Sequence, residues 1–145
     1  MRRYWIFNIG TAAFAPQEDW LADWRHHTAE MWFPPNKRPS GVRAGDRAVI
    51  HGTGGRGFFA VVEVISSAPE ASTADKLEDR ERWPFRLRYK LLLAIRADDH
   101  APSLEHVGWE NPKRLRRQPH VLIDEQLYER IAQAIVRGAR EAVAV

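Results

Sequence analysis

Val42-Arg43-Ala44-Gly45-Asp46-Arg47-Ala48-Val49-Ile50-His51 leads through Gly52-Thr53-Gly54-Gly55-Arg56-Gly57 into Phe58-Phe59-Ala60-Val61-Val62-Glu63-Val64-Ile65, and the reading of this stretch decides the fold. Gly45-Asp46 marks a turn. Arg47 to His51 and Phe58 to Ile65 are rich in β-branched and aromatic residues, which favour a pleated, half-buried surface. Two such runs on either side of a glycine-rich connection predict a β-hairpin. The glycines lack the Gly-Lys-Ser/Thr ending of a phosphate-binding P-loop, and a strand follows them where that motif needs a helix. They therefore read as a plain hairpin turn.

Working outward, Tyr4-Trp5-Ile6-Phe7-Asn8-Ile9 predicts a strand that opens the domain. Pro16 starts an expected helix with Glu18 and Asp19 in its first turn, where carboxylates suit the dipole. Trp20 and Trp24 share one face of that helix at i, i+4 spacing. Trp32-Phe33-Pro34-Pro35 cannot continue a helix. Ser66 to Glu81 is polar, without aromatic residues, and reads as an exposed loop or a frayed helical turn. From Phe85 the chain alternates, with Phe85, Leu87, Tyr89 and Leu91 to one side and Arg86, Arg88 and Lys90 to the other. Ala97 to Pro119 is mixed and basic. Asp124 is placed to cap a final helix with an apolar stripe of Leu127, Ile131, Ala134 and Ile135.

With 145 residues the chain has room for one domain, residues 1–145, and for a core that needs no staples. Cysteine is absent, which excludes disulfides, thiolate metal sites and cysteine nucleophiles. No apolar run approaches the roughly 20 residues that span a bilayer. Tyr4 to Ile9 is too short for the core of a signal peptide, so a cytoplasmic setting and no membrane partner are expected. A net charge of +3 permits nucleic acid without requiring it. The adjacent His26 and His27 face different directions on a helix, and no third ligand stands at metal spacing. No nucleophile–base pattern is present either. No metal, cofactor or catalytic residue is expected.

Six tryptophans are the unusual feature of the composition. Trp5 lies in a strand and belongs in the core. Trp20 and Trp24 stay open between core and pocket wall, and Trp109 has no assignment. Trp32 and Trp83 stand just outside regular elements, beside Phe-Pro and Pro-Phe, where side chains line clefts.

The order Tyr4-Trp5-Ile6-Phe7-Asn8, Met31-Trp32, Val42 to Ile50, Gly57 to Val64 and Trp83-Pro84-Phe85-Arg86-Leu87 resembles the EVE domain family of the PUA-like superfamily. It is similar, more distantly, to the YTH domains that read N6-methyladenine in RNA. The resemblance spans about Tyr4 to Val136. It implies an α+β fold: a PUA-like mixed β-barrel flanked by helices, with a C-terminal helix, as a single EVE/PUA-like domain. It also implies an aromatic cage for a modified base. Trp32 and Trp83 match the cage tryptophans. Asn8, Ile9 and Gly10 match the end of the first strand, which offers polar groups to the base edge. The Phe33 peptide matches a backbone group beside the first cage residue. Phe33 is larger than the residue usual there, and with no aromatic in 66–81 a third wall falls to Trp20, Trp24 or an aliphatic side chain.

The expected function is thus non-catalytic binding of a modified, methylated base in DNA or RNA. Lys37, Arg38, Arg86, Arg114 and Arg117 are the phosphate contacts, and any cleavage or modification belongs to a separate nuclease or modification enzyme. Two alternatives stand beside it: an enzyme like the ASCH relatives, acting on nucleic acid or a small amide, and a protein-interaction domain.

Overall fold

The computed structural model describes residues 1–9, 30–52, 57–95, 101–108 and 120–144. The strands are β1 (Tyr4–Ile9), β2 (Glu30–Phe33), β3 (Arg47–Gly52), β4 (Gly57–Val64), β5 (Glu70–Ala71), β6 (Phe85–Ala94) and β7 (His120–Ile123). The helices are α1 (Leu77–Arg82) and α2 (Glu125–Ala144). They form a mixed α+β fold. The strands make one sheet in the order β2-β6-β4-β3-β1-β7, with β5 added on β6. The expected helix after Pro16 lies outside the described residues.

The hairpin is as the sequence predicts. β3 and β4 pair antiparallel from Arg47↔Glu63 to Gly52↔Gly57, with a bulge between Ile50 and His51. Gly57 closes it with φ 75°, and a Cβ there would stand 2.6 Å from the carbonyl oxygen of Pro102. Both strands are buried along nearly their whole length, which suits their unbroken apolar runs. β1 then adds to β3 in parallel, Tyr4↔Arg47 through Ile9↔Gly52, and β7 adds antiparallel to its other edge.

The sheet curls into a half-barrel. Phe33 of β2, at one end of the strand order, meets Phe7 of β1 edge-on at 6.1 Å and His120 of β7, at the other end, at 6.0 Å. These rings fill the concave side with Trp5. α2 covers the opposite face, where Tyr128 stacks on Tyr4 at 4.6 Å and Ile131 and Ile135 are fully buried. The Asp124 carboxylate accepts the Leu127 N–H at 2.7 Å, the expected cap. Among the described residues no helix is long and apolar enough to cross a membrane.

Three elements differ from the sequence reading. Trp32 and Phe33 lie within a strand, β2, and not outside a regular element. Within the 66–81 segment β5 is the departure, while the short exposed helix α1 agrees with the frayed helical turn expected there. β6 runs on to Ala94. A bulge between Val61 and Val62 of β4 pairs them with Leu93 and Leu91, which leaves Leu92 as the extra, exposed residue.

Asp46 ties these parts together. Only 2% exposed, it takes the Trp5 indole N–H at 3.0 Å and the backbone N–H groups of Arg3 at 2.9 Å and Arg43 at 3.0 Å. Hydrogen bonds to a charged acceptor are among the stronger ones, and the buried indole has no water to replace it. Asp46→Ala is expected to lower the unfolding free energy by about 3 kcal/mol, and Trp5→Phe, which keeps the other two bonds, by less. Urea titration of the two variants checks this order.

Candidate functional site

The expected site residues belong to three strands. β2 runs opposite to β1, so the steps from Phe7 to Asn8 and from Phe33 back to Trp32 lead toward the same end of the curled sheet. The Phe7–Phe33 ring contact therefore brings the backbone of Trp32 and the end of β1 together. Trp32 is held opposite Arg86, and Phe33 opposite Phe85. Trp83 is half-buried at the end of α1, where its N–H donates to the Asp79 carbonyl at 2.8 Å. It stands three residues before Arg86, an offset of roughly 10 Å along an extended chain.

Phe33 is fully buried, with its ring spent on Phe7 and His120. Only its peptide is left to serve a ligand, as the resemblance implies. β2 ends the strand order, so among the described strands its second edge carries no ladder partner.

Asn8 is placed differently from Phe33. Consecutive strand residues point to opposite faces. With Phe7 turned toward Phe33, Asn8 shares the helix-covered face with Tyr4 and Ile6. There its Oδ1 lies 2.9 Å from Nδ1 of His51, its register partner on β3. His51 is 8% exposed and meets Phe58 edge-on at 4.9 Å. Burial pushes its pKa down from 6.5 to about 4, so the ring is neutral at pH 7. A neutral imidazole has one donor and one acceptor nitrogen. With Nδ1–H given to Asn8, the pair forms a polar, uncharged unit at the ends of two parallel strands. The sequence marked His51 only as a residue at a strand end. Its pairing with Asn8 needs the parallel register, which leaves no local signal.

The basic residues separate as well. Arg38 is exposed, with its guanidinium 5.7 Å from the Phe85 ring centre. Lys37 is half-buried and close enough to His120 to disfavour protonation there. Arg86 is not a free cation. Its Nε lies 3.2 Å from Glu70, and its Nη1 donates to Thr73 at 3.0 Å. Arg88 grips the same carboxylate with two bonds of 2.9 Å. The Arg88 hydrogen bond, more than the Arg86 charge, holds Glu70 below the usual carboxylate range. A phosphate at Arg86 would compete with Glu70. Gly10, Trp20, Trp24, Arg114 and Arg117, and the side chains of Ile9 and Trp32, lie outside the described residues. Among the described residues no three His, Asp or Glu side chains gather as a metal site would need.

No family model matches this chain, and no curated protein does. Solved structures match in fold. The NMR structure of Rpa0253 from Rhodopseudomonas palustris is 12% identical, with TM-score 0.62 over 91% of this chain and 92% of that one. The crystal structure of Atu2648 from Agrobacterium tumefaciens is 15% identical, with TM-score 0.59 over 91% and 92%. A hypothetical protein from Leishmania major is 14% identical, with TM-score 0.57 over 94% and 96%. At these identities the likeness establishes a shared fold.

The buried histidine makes stability depend on pH. Unfolded chains protonate His51 near 6.5 and folded ones only near 4. Its contribution is therefore complete above the unfolded value and lost as pH falls between the two, by about 3 kcal/mol. Unfolding free energies of the native protein and of His51→Gln, measured from pH 7 to pH 4, should diverge by that amount. Parallel curves would refute the assignment.

Proposed function

We propose that this chain is a PUA-like domain of the EVE type that binds a modified base without catalysis. The observation that carries this reading is the Phe7–Phe33 ring contact, which sets the open β2 edge beside β1, the strand that ends at Asn8. Trp32 and the Phe33 peptide sit on that edge, opposite Phe85 and Arg86 of β6. An extruded base loses a few kcal/mol of stacking. Stacking on an aromatic side chain returns about 1–3 kcal/mol. One methyl group then separates modified from unmodified base by about 1–3 kcal/mol. Trp32 and Trp83 are the stacking residues in this reading. Asn8 and the Phe33 peptide hydrogen-bond the base edge, and Ile9 and Gly10 line the floor.

Phosphate contacts fall to Lys37 and Arg38, with Arg86 joining at the expense of its Glu70 pairing. A cytoplasmic setting and a separate nuclease or modification enzyme belong to the same proposal. The enzyme reading would need a titratable group tuned to its task. His51 is the described histidine shifted far enough to matter beside the end of β1, and at a pKa of about 4 it is a weak base. A neutral hydrogen-bonding role suits it better.

The test is titration of matched modified and unmodified DNA and RNA oligonucleotides. A preference for one modified form is expected. Trp32→Ala and Trp83→Ala should each weaken that form by roughly 5- to 150-fold, the equivalent of one lost stack. Equal binding of modified and unmodified strands, or a preference that survives Trp32→Ala, would remove the cage.

A further inference from the structure

The two end strands of the sheet, β2 and β7, come within ring contact at Phe33 and His120, 6.0 Å apart, yet share no ladder among the described residues. Each therefore turns one edge toward a seam. His120 lies in that seam, with the Trp5 ring also near, 5.9 Å away. Its Nδ1 is buried and has no hydrogen-bond partner among the described residues. A buried N–H without an acceptor is costly, so the proton belongs on Nε2 and Nδ1 keeps a bare lone pair. Burial first, and then the Lys37 ammonium, hold the ring below its ordinary range, and it is neutral at pH 7. The seam thus combines a neutral N–H donor with a neighbouring fixed positive charge. Arg38, with its guanidinium 5.7 Å from the Phe85 ring centre, adds a second charge one strand away, Phe85 being the register partner of Phe33. A group with one negative charge and several acceptor oxygens answers both kinds of donor, as a phosphodiester does.

We propose that the β2–β7 seam holds one backbone phosphate of the bound nucleic acid, with Lys37 supplying the charge and His120 Nε2–H a neutral hydrogen bond. The inference rests on the nucleic-acid reading and adds to it a path for the strand. Phe33 forms one wall of the seam, and Trp32 is its neighbour in β2. A phosphate held here would fix the register of the adjoining nucleotide against the stacking residue.

The two contacts differ in their salt signature. Lys37→Met removes a contact that releases counterions and should reduce the slope of log K against log salt by about 0.7–0.9. His120→Phe keeps a ring between Phe33 and Trp5. It should weaken oligonucleotide binding by roughly tenfold, the loss of one charge-assisted bond, with the slope unchanged. A second measurement needs no oligonucleotide. Inorganic phosphate added to the native protein should shift the His120 ring resonances, and the shift should vanish in Lys37→Met. An unchanged salt slope in Lys37→Met, or a His120 ring unmoved by phosphate, overturns the seam site even where the preference for a modified base stands. A changed slope and a moving ring with no base preference uphold the seam and remove the cage.

Discussion

Asp46 joins β1, β3 and β4 at one point. Its carboxylate oxygens take the backbone N–H of Arg3, just before β1, the indole N–H of Trp5 inside β1, and the N–H of Arg43 across its own turn. Its carbonyl accepts the N–H of Val64 at the end of β4, while Val64 returns its own carbonyl to Gly45. Gly45 makes that turn at φ 89°, a conformation that costs a residue with a Cβ. The node pins the register of β1 against β3. A slip of one residue would turn Trp5 away from Asp46, exchange the two faces of β1, and part Asn8 from His51. The polar pair at one end of the parallel strands is thus set by a carboxylate at the other.

What could be read from the sequence was local. The hairpin, the Asp124 cap, the apolar stripe of the final helix and the core position of Trp5 each rest on patterns a few residues long, and each is present in the fold. β2, β5 and β7 were not legible. They have four, two and four residues. At that length a strand exists because an edge is waiting for it, and neighbouring prolines or charges dominate the local signal. Pro34-Pro35 marked the end of a segment correctly but hid that Met31-Trp32-Phe33 is itself paired. The alternation of β6 was legible, but the partner of Arg86 and Arg88 was not, because Glu70 sits in a two-residue strand within a segment that reads as loop.

The candidate site follows the same division. Trp32, Phe33 and Asn8 could be singled out by order along the chain, and the ring contact between Phe7 and Phe33 accounts for their proximity. The placement of His51 and His120 could not be seen, because each depends on strands brought together from distant segments. His51 needs the parallel β1–β3 register. His120 needs the curl that carries β7 round to β2.

His51 is held neutral by burial, while Lys37 is half-buried, Arg38 is exposed and Arg86 is already paired with Glu70. On the proposed reading this separates two tasks that charge would confuse. A cation deep in a low-dielectric cavity would attract any phosphate and bury it among the groups meant for the base. The neutral His51–Asn8 pair carries no charge to do so. It rewards shape and hydrogen-bond pattern, and desolvation penalises a charged intruder that finds no counter-charge. Rim cations act through counterion release, which is blind to base identity and weakens as salt rises. On the proposed reading, affinity resides in the seam and rim, and selectivity in the uncharged interior. A net charge of only +3 is sufficient for the division of work proposed here.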